Sequence, residues 1–224
     1  MRLLRAARGW LLPLLVLAVH GCAATNAGRG RSTSVVRGTV APETPVESSR
    51  RNEISARDAI VYLDAAEAAG LGLNPVPTTQ VVRVAHRFEP RVVAVSVGSK
   101  VRFENDDDML YHSVFSVSPI RRFDTGLFGP EHSRTITFDQ PGVVELHCGI
   151  DDAVGYVLVV PHAVFARADK NGTFTVGPLP RGTWTLRAWH PVWGTATTTA
   201  EVGSPTTPVT LRFAGVQPQT SALP

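Results

Sequence analysis

Short apolar runs with a period of two recur along most of the chain, the signature of β-strands. The runs "VVRGTV" (35–40), "AIVYLD" (59–64), "QVVRVAHRF" (80–88), "RVVAVSV" (91–97), "KVRFEN" (100–105), "YHSVFSV" (111–117), "RTITFD" (134–139), "VVELHC" (143–148) and "YVLVV" (156–160) are rich in Val, Ile, Tyr and Phe. Turn-forming segments such as "NPVP", "VGSK" and "QPG" separate them. Further on come "TFTV", "TWTLRAWH", "TATTTAEV" and "PVTLRF", with "DKNG" and "PLPRG" reading as hairpin-type turns. Helical periodicity is scarce; "SARDAIVYLDAAEAAGLG" holds alanine enough for one or two helical turns. Many strands at close spacing predict an all-β sandwich or barrel rather than a βαβ fold.

The first 22 residues break this pattern. Arg2, Arg5 and Arg8 form a basic front, and an apolar run from Trp10 to Val19 follows. That is a secretory signal, too short for a stable membrane span. It ends in "VHGC", which resembles a bacterial lipobox with Cys22 as the lipidated residue. Residues 1–22 are thus expected to be a lipoprotein signal peptide, anchoring the chain on the periplasmic side of a bacterial membrane. Cleavage after Ala24, giving a soluble periplasmic protein, is the alternative. Residues 23–33, "AATNAGRGRST", read as a flexible tether, and 216–224 as a disordered tail.

Export changes the meaning of the charge. The formal net charge of +3 is matched by the three signal arginines, so the mature chain is formally neutral. Its basic pI gives no support for a nucleic-acid partner. Only two cysteines are present. With Cys22 acylated, Cys148 has no disulfide partner. A free thiol in an oxidising compartment is a liability unless buried or metal-bound.

The segment "FARADKNGTFTVGPLPRGTWTLRAWH", from Phe165, resembles the carboxypeptidase-regulatory-like β-sandwich, with its Asp/Gly turn followed by a short strand and "lpxGxYxL". The opening strands of that module match "VVRGTV" and "ARDAIVYLD", far upstream. The resemblance implies a discontinuous domain, 34–66 plus 162–215, with a second domain inserted at 78–161. Two sandwiches in series, with the early strands belonging to the first, is the alternative.

The inserted segment contains, in order, "F-x-P", "V-x-x-G-x-x-V-x-F-x-N-x-D", a histidine, and "F-x-x-PG-x-V-x-x-x-C". It resembles the plastocyanin-like cupredoxins, in particular the periplasmic methylamine-utilisation type. The resemblance implies a cupredoxin-like Greek-key β-sandwich beside the second small sandwich, with periplasmic copper binding and electron transfer as the family function. In that family the ligands are a histidine after the "N-x-D" strand end and a C-x-I-H-x-x-M loop. A trigonal His₂Cys set with a weak thioether tunes copper for electron transfer. Residue by residue, the first histidine matches His112 and the thiolate Cys148. There the match stops. Asp151 and Asp152 stand where the second histidine is expected, and Ala153 and Val154 where the methionine is.

No other residue supplies the missing ligands. Val144, Leu146 and Cys148 share one strand face, the core face, and Val143, Glu145 and His147 the other, so His147 points away from Cys148. Met109 lies on the wrong loop. His86, His132, His162 and His190 read as solvated or hydrogen-bonded. "NDDD" (105–108) lacks the spaced acids and closing glutamate of a calcium loop. No nucleophile arrangement, phosphate loop or carboxylate pair points to an enzyme. Two readings stay open. One is a cupredoxin scaffold kept for binding or structure, its type 1 site degenerate and copper weak or absent. The other is a non-blue metal site of His112, Cys148 and Asp151, used for electron transfer or copper trafficking with an unknown periplasmic partner.

Overall fold

The computed structural model describes residues 33–43, 55–203 and 208–214. The expected signal peptide with Cys22, the expected tether up to residue 32 and the expected tail from 216 lie outside these residues. The fold is all-β, as the pattern predicts. The strands are β1 (Thr33–Pro42), β2 (Ile60–Leu63), β3 (Thr79–Val84), β4 (Phe88–Glu89), β5 (Val92–Ser96), β6 (Ser99–Asn105), β7 (Val114–Ser116) and β8 (Phe123–Asp124). They continue as β9 (Ser133–Phe138), β10 (Gly142–Cys148), β11 (Val154–Val160), β12 (Phe165–Arg167), β13 (Thr173–Pro180), β14 (Gly182–His190), β15 (Gly194–Val202) and β16 (Val209–Phe213). One short helix, α1 (Ala65–Gly70), is capped by Asp64, whose side chain accepts from the Ala66 and Glu67 amides.

Four sheets stack in the order β13-β1-β16, β12-β2-β14-β15, β5-β11-β10-β7-β8, β4-β3-β6-β9. The first two enclose a core of Val36, Val40, Phe174 and Leu211 against Val61, Leu63, Leu186 and Ala188. The last two enclose Val82, Val101, Phe103 and Phe138 against Val95, Val144, Leu146 and Val157. Between the two sandwiches Ile60, Tyr62 and Trp189 meet Val92, Val143, Tyr156, Leu158 and Val160. The Tyr156 and Trp189 rings meet edge-on at 5.6 Å. Each fully buried aliphatic there contributes about 1.5–3 kcal/mol relative to exposure. β1 pairs with β13 and β16, and β2 with β12 and β14.

Three local expectations are corrected. "DKNG" and "PLPRG" are not hairpin turns: each joins strands of different sheets, β12 to β13 and β13 to β14. Asp169 closes the first by accepting from the amides of Asn171 and Thr173, with Gly172 at φ 79°. Such chemistry reverses the chain locally; it does not choose the ladder each arm joins. "QVVRVAHRF" is two strands, β3 and β4, folded back so that Val84 pairs with Phe88. "YHSVFSV" becomes a strand only at Val114, because His112 is bridged instead to Phe128. Among the described residues no helix is long and apolar enough to cross a membrane.

Two buried histidines tie β2 and its approach to later strands. His162 Nε2–H donates to the Leu63 carbonyl at 2.9 Å, and its Nδ1 accepts from the Val164 amide. His190 Nε2–H donates to the Ser55 carbonyl, and its Nδ1 accepts from the Val192 and Trp193 amides. Both roles require neutral rings, because a protonated Nδ1 cannot accept. Burial pushes the His190 pKa down from 6.5 to about 4 and lowers that of His162. Between pH 6.5 and about 4 the unfolded chain binds a proton that folded His190 refuses, so stability is full above 6.5 and falls as pH drops through that window. The difference corresponds to roughly 3 kcal/mol. Denaturant midpoints measured across this window should fall more steeply in the native chain than in His190→Phe, whatever the variant's absolute stability.

Candidate metal centre

The site forms where the loop between β6 and β7 meets the loop between β10 and β11. Asn105, the last residue of β6, is buried and holds the first loop. Its Nδ2 donates to the carbonyls of Leu110 at 2.8 Å and Phe128 at 3.0 Å, and its Oδ1 accepts from the Asp107 amide at 2.9 Å. Asp107 Oδ1 then accepts from the amides of Met109 and Leu110. These backbone hydrogen bonds hold the Asp107 carboxyl below the ordinary carboxylate range. The chain thus arrives at His112 in a fixed pose. His112 exchanges backbone hydrogen bonds with Phe128 in both directions, and its side chain is fully buried.

The second loop is positioned by β10. Cys148 ends that strand opposite Val114, and its amide donates to the Ala153 carbonyl. The Gly149 amide donates to the Ser113 carbonyl, and a Cβ at Gly149 would collide with Ser113 Oγ. Glycine therefore lets the two loops close on one another. Asp151 Oδ1 accepts from the Ala153 amide, which turns Oδ2 inward.

The three side chains singled out in the sequence come together. Cys148 Sγ lies 3.5 Å from His112 Nδ1, and Asp151 Oδ2 lies 3.6 Å from the same nitrogen. All three donor atoms fall within 4.8 Å of one another. Cys148 is only 6% exposed and makes no disulfide. His112 Nε2 and Asp151 Oδ2 are buried without a hydrogen-bond partner. Such orphaned groups are rare in folded proteins and call for an explanation.

A cation fits this arrangement. Tetrahedral bonds of about 2.0–2.3 Å to N, O and S require donor separations of roughly 3.3–3.8 Å. The two separations from Nδ1 already match, and the span from sulfur to carboxylate is within 4.8 Å. Among the described residues the donor group holds one imidazole. His147 faces the other way, stacked on Phe115 and 3.3 Å from Glu145. His132 Nδ1 lies against the Pro130 carbonyl, and Met109 is 84% exposed.

Sequence reading missed Asp107. Its Oδ2 stands 3.6 Å from His112 Nε2, on the far side of the ring from Cys148. The run "NDDD" looks like solvated acids, and only the Asx turn closed by Asn105 reveals that one of them faces inward. A separate cleft of about 670 Å³ contains none of the three donors. Its Arg57, Arg91 and Arg167 surround the buried Asp58, whose pKa is raised by burial against the pull of those arginines.

No family model matches this chain, and no curated protein does either. Among solved structures it is similar to an oxidised methionine-to-leucine mutant of amicyanin, at 24% identity and a TM-score of 0.34, covering 36% of this chain and 81% of that one. It is similar to a copper-containing nitrite reductase from Thermus scotoductus at 31% identity and a TM-score of 0.34, covering 39% of this chain and 23% of that one. A purple cupredoxin from Nitrosopumilus maritimus is 21% identical at the same TM-score, over 36% of this chain and 99% of that one.

The Asn105 clamp is testable without metal. Asn105→Ala removes the partner of the Asp107 amide and of the Leu110 carbonyl and one of the two donors to the Phe128 carbonyl, at a cost of about 2–3 kcal/mol. Chemical denaturation should register that loss, and amide exchange at Asp107 should accelerate more than at β10. Exchange unchanged at Asp107 would show that the loop is held by something else.

Proposed function

We propose that this chain is an exported, cupredoxin-like metal-binding module whose site is a His112–Cys148–Asp151 set rather than a blue copper centre. The observation that carries this reading is the convergence of three donors on one point, with Asp151 Oδ2 otherwise unpartnered. Thiolate, imidazole and carboxylate together suit Zn(II), Co(II) or Cu(II) in a tetrahedral or trigonal site. A metal bound there supplies a divalent charge that neutralises the thiolate and carboxylate. The chain's own residues orient the ring, exclude water from the sulfur and fix the carboxylate. Binding, storage or hand-over of a metal ion is then the function, and the second sandwich, of carboxypeptidase-regulatory-like type, serves as its structural support. Tyr111, Leu127 and Ile150, all more than half exposed, adjoin His112, Phe128 and Asp151 in the chain. Such an apolar rim suits transient docking of a partner protein.

Spectroscopy separates this reading from a blue electron carrier. Co(II) titrated into the reduced protein should give thiolate-to-metal absorption and intensified visible bands of a four-coordinate site. Cys148→Ser should abolish the charge-transfer absorption, and His112→Ala or Asp151→Asn should weaken binding at least tenfold. Cu(II) should bind without the intense red band of a His₂Cys site. A strongly blue protein would overturn the proposal, and so would Co(II) absorption that survives Cys148→Ser.

The lipid anchor is a separate proposal, supported by "VHGC" at the end of the signal. Replacing Cys22 with serine should move the protein from the membrane fraction to the soluble one, since stable anchoring needs more than one acyl chain. Retention on membranes after a salt wash would rule out the anchor.

A further inference from the structure

We infer that Asp107 is a positioning residue for this centre: its carboxylate keeps hydrogen on His112 Nε2, so that the Nδ1 lone pair is presented to the point shared by Cys148 and Asp151. The role in metal binding rests on the reading above; the tautomer itself does not.

The His112 ring is fully buried, and each of its nitrogens has an anionic or polarisable neighbour. Nδ1 faces Cys148 Sγ at 3.5 Å and Asp151 Oδ2 at 3.6 Å. Nε2 faces Asp107 Oδ2 at 3.6 Å and has no formed hydrogen bond. A neutral imidazole carries hydrogen on one nitrogen only. With hydrogen on Nδ1, the lone pair of Nε2 would confront a carboxylate oxygen inside the protein. With hydrogen on Nε2, that same oxygen becomes an acceptor, and Nδ1 is left to accept a hydrogen bond from the Cys148 thiol or to bind a cation that also takes up Asp151 Oδ2. Asp151 faces Nδ1 at the distance at which Asp107 faces Nε2, so the more firmly held carboxylate decides the tautomer.

Asp107 is built for this task more firmly than Asp151. Two backbone amides, those of Met109 and Leu110, bind its Oδ1, and its own amide is held by Asn105. Asp151 Oδ1 accepts from one amide, that of Ala153. Oδ2 of Asp107 therefore has a fixed direction, and an approach of about half an ångström completes the hydrogen bond. A carboxylate behind a ligating histidine orients the ring and raises its donor strength, and removing it weakens metal binding by about 10–100-fold.

Asp107→Asn tests this directly. Asparagine keeps an oxygen for the Met109 and Leu110 amides but turns an NH₂ group toward Nε2. The ring should then carry its hydrogen on Nδ1, where it blocks the metal. Nitrogen-15 NMR of the metal-free protein at alkaline pH should show Nε2 protonated in the native chain and Nδ1 protonated in the variant. Co(II) affinity should fall by about 10–100-fold with the thermal midpoint little changed. Asp107→Ser, which can still cap the loop but offers Nε2 no carboxylate, should lose affinity and show a mixture of the two tautomers. The inference is overturned if Asp107→Asn keeps the native tautomer, or binds Co(II) as tightly as the native chain. A native chain that binds no Co(II) defeats the metal reading instead, and the tautomer comparison still decides what Asp107 does to the ring.

Discussion

The inner strands β2 and β11 of two adjacent sheets are buried on both faces, and most of the structure follows from that constraint. In an isolated sandwich each sheet turns one face to water, and its strands alternate apolar with polar. β2 cannot do so: all four of its residues are buried. Val61 and Leu63 enter one core, while Ile60 and Tyr62 enter the junction between sandwiches. β11 behaves the same way, with Val157 and Val159 on one side and Tyr156, Leu158 and Val160 on the other. Separating the two sandwiches would expose both apolar surfaces, so the layers hold together as one unit. The consequence reaches the site. β10 and β11 carry the Cys148–Ala153 loop between them, and the second sandwich braces that hairpin from behind through Val143, Tyr156 and Leu158.

At the far end of the same hairpin the balance is reversed: polar groups are buried without full satisfaction. Backbone geometry forces this. The His112–Phe128 bridge turns the imidazole inward, the β10–β7 register sets Cys148 beside it, and the Asx turn at Asp151 aims a carboxylate at the same nitrogen. A thiol, an imidazole and two carboxylates then share a small volume of low polarity. Low polarity strengthens every charge interaction there and makes any unmatched group expensive. A bound cation on the Nδ1 side, with hydrogen retained on the Nε2 side, resolves the whole cluster at once.

The legible part of this structure was the part governed by period and composition. Alternation placed the long strands, and the face argument for β10 correctly separated Val144, Leu146 and Cys148 from His147. The proximity of His112 and Cys148 was not legible from pattern at all, since the residues are far apart in sequence and no periodicity links them. It came from the family resemblance. Asp107 escaped because acidic residues in a row look solvated, and the turn that inverts one of them depends on a buried asparagine. The turns at 169–172 and 180–182 were misread for a related reason. Turn residues specify a reversal, whereas the choice of sheet is made by packing against β1 and β2, more than a hundred residues earlier in the chain.

The donor set itself limits what the site can do under the proposed reading. A blue centre keeps its copper usable in both oxidation states by combining a thiolate, two imidazoles and a weak thioether in a rigid frame. Here the third donor is a carboxylate, which is hard and anionic. It favours the divalent state of copper over the monovalent one, and it favours ions such as zinc that have no second state to visit. The only methionine in this region, Met109, is turned to solvent on the opposite loop and cannot restore the balance. The frame stays rigid, because Asn105, Gly149 and the braced hairpin fix all three donors before any ion arrives. A rigid site with a hard third ligand holds an ion well and exchanges electrons poorly. Under that reading, a carboxylate in place of a second imidazole suits this loop to holding an ion rather than cycling it.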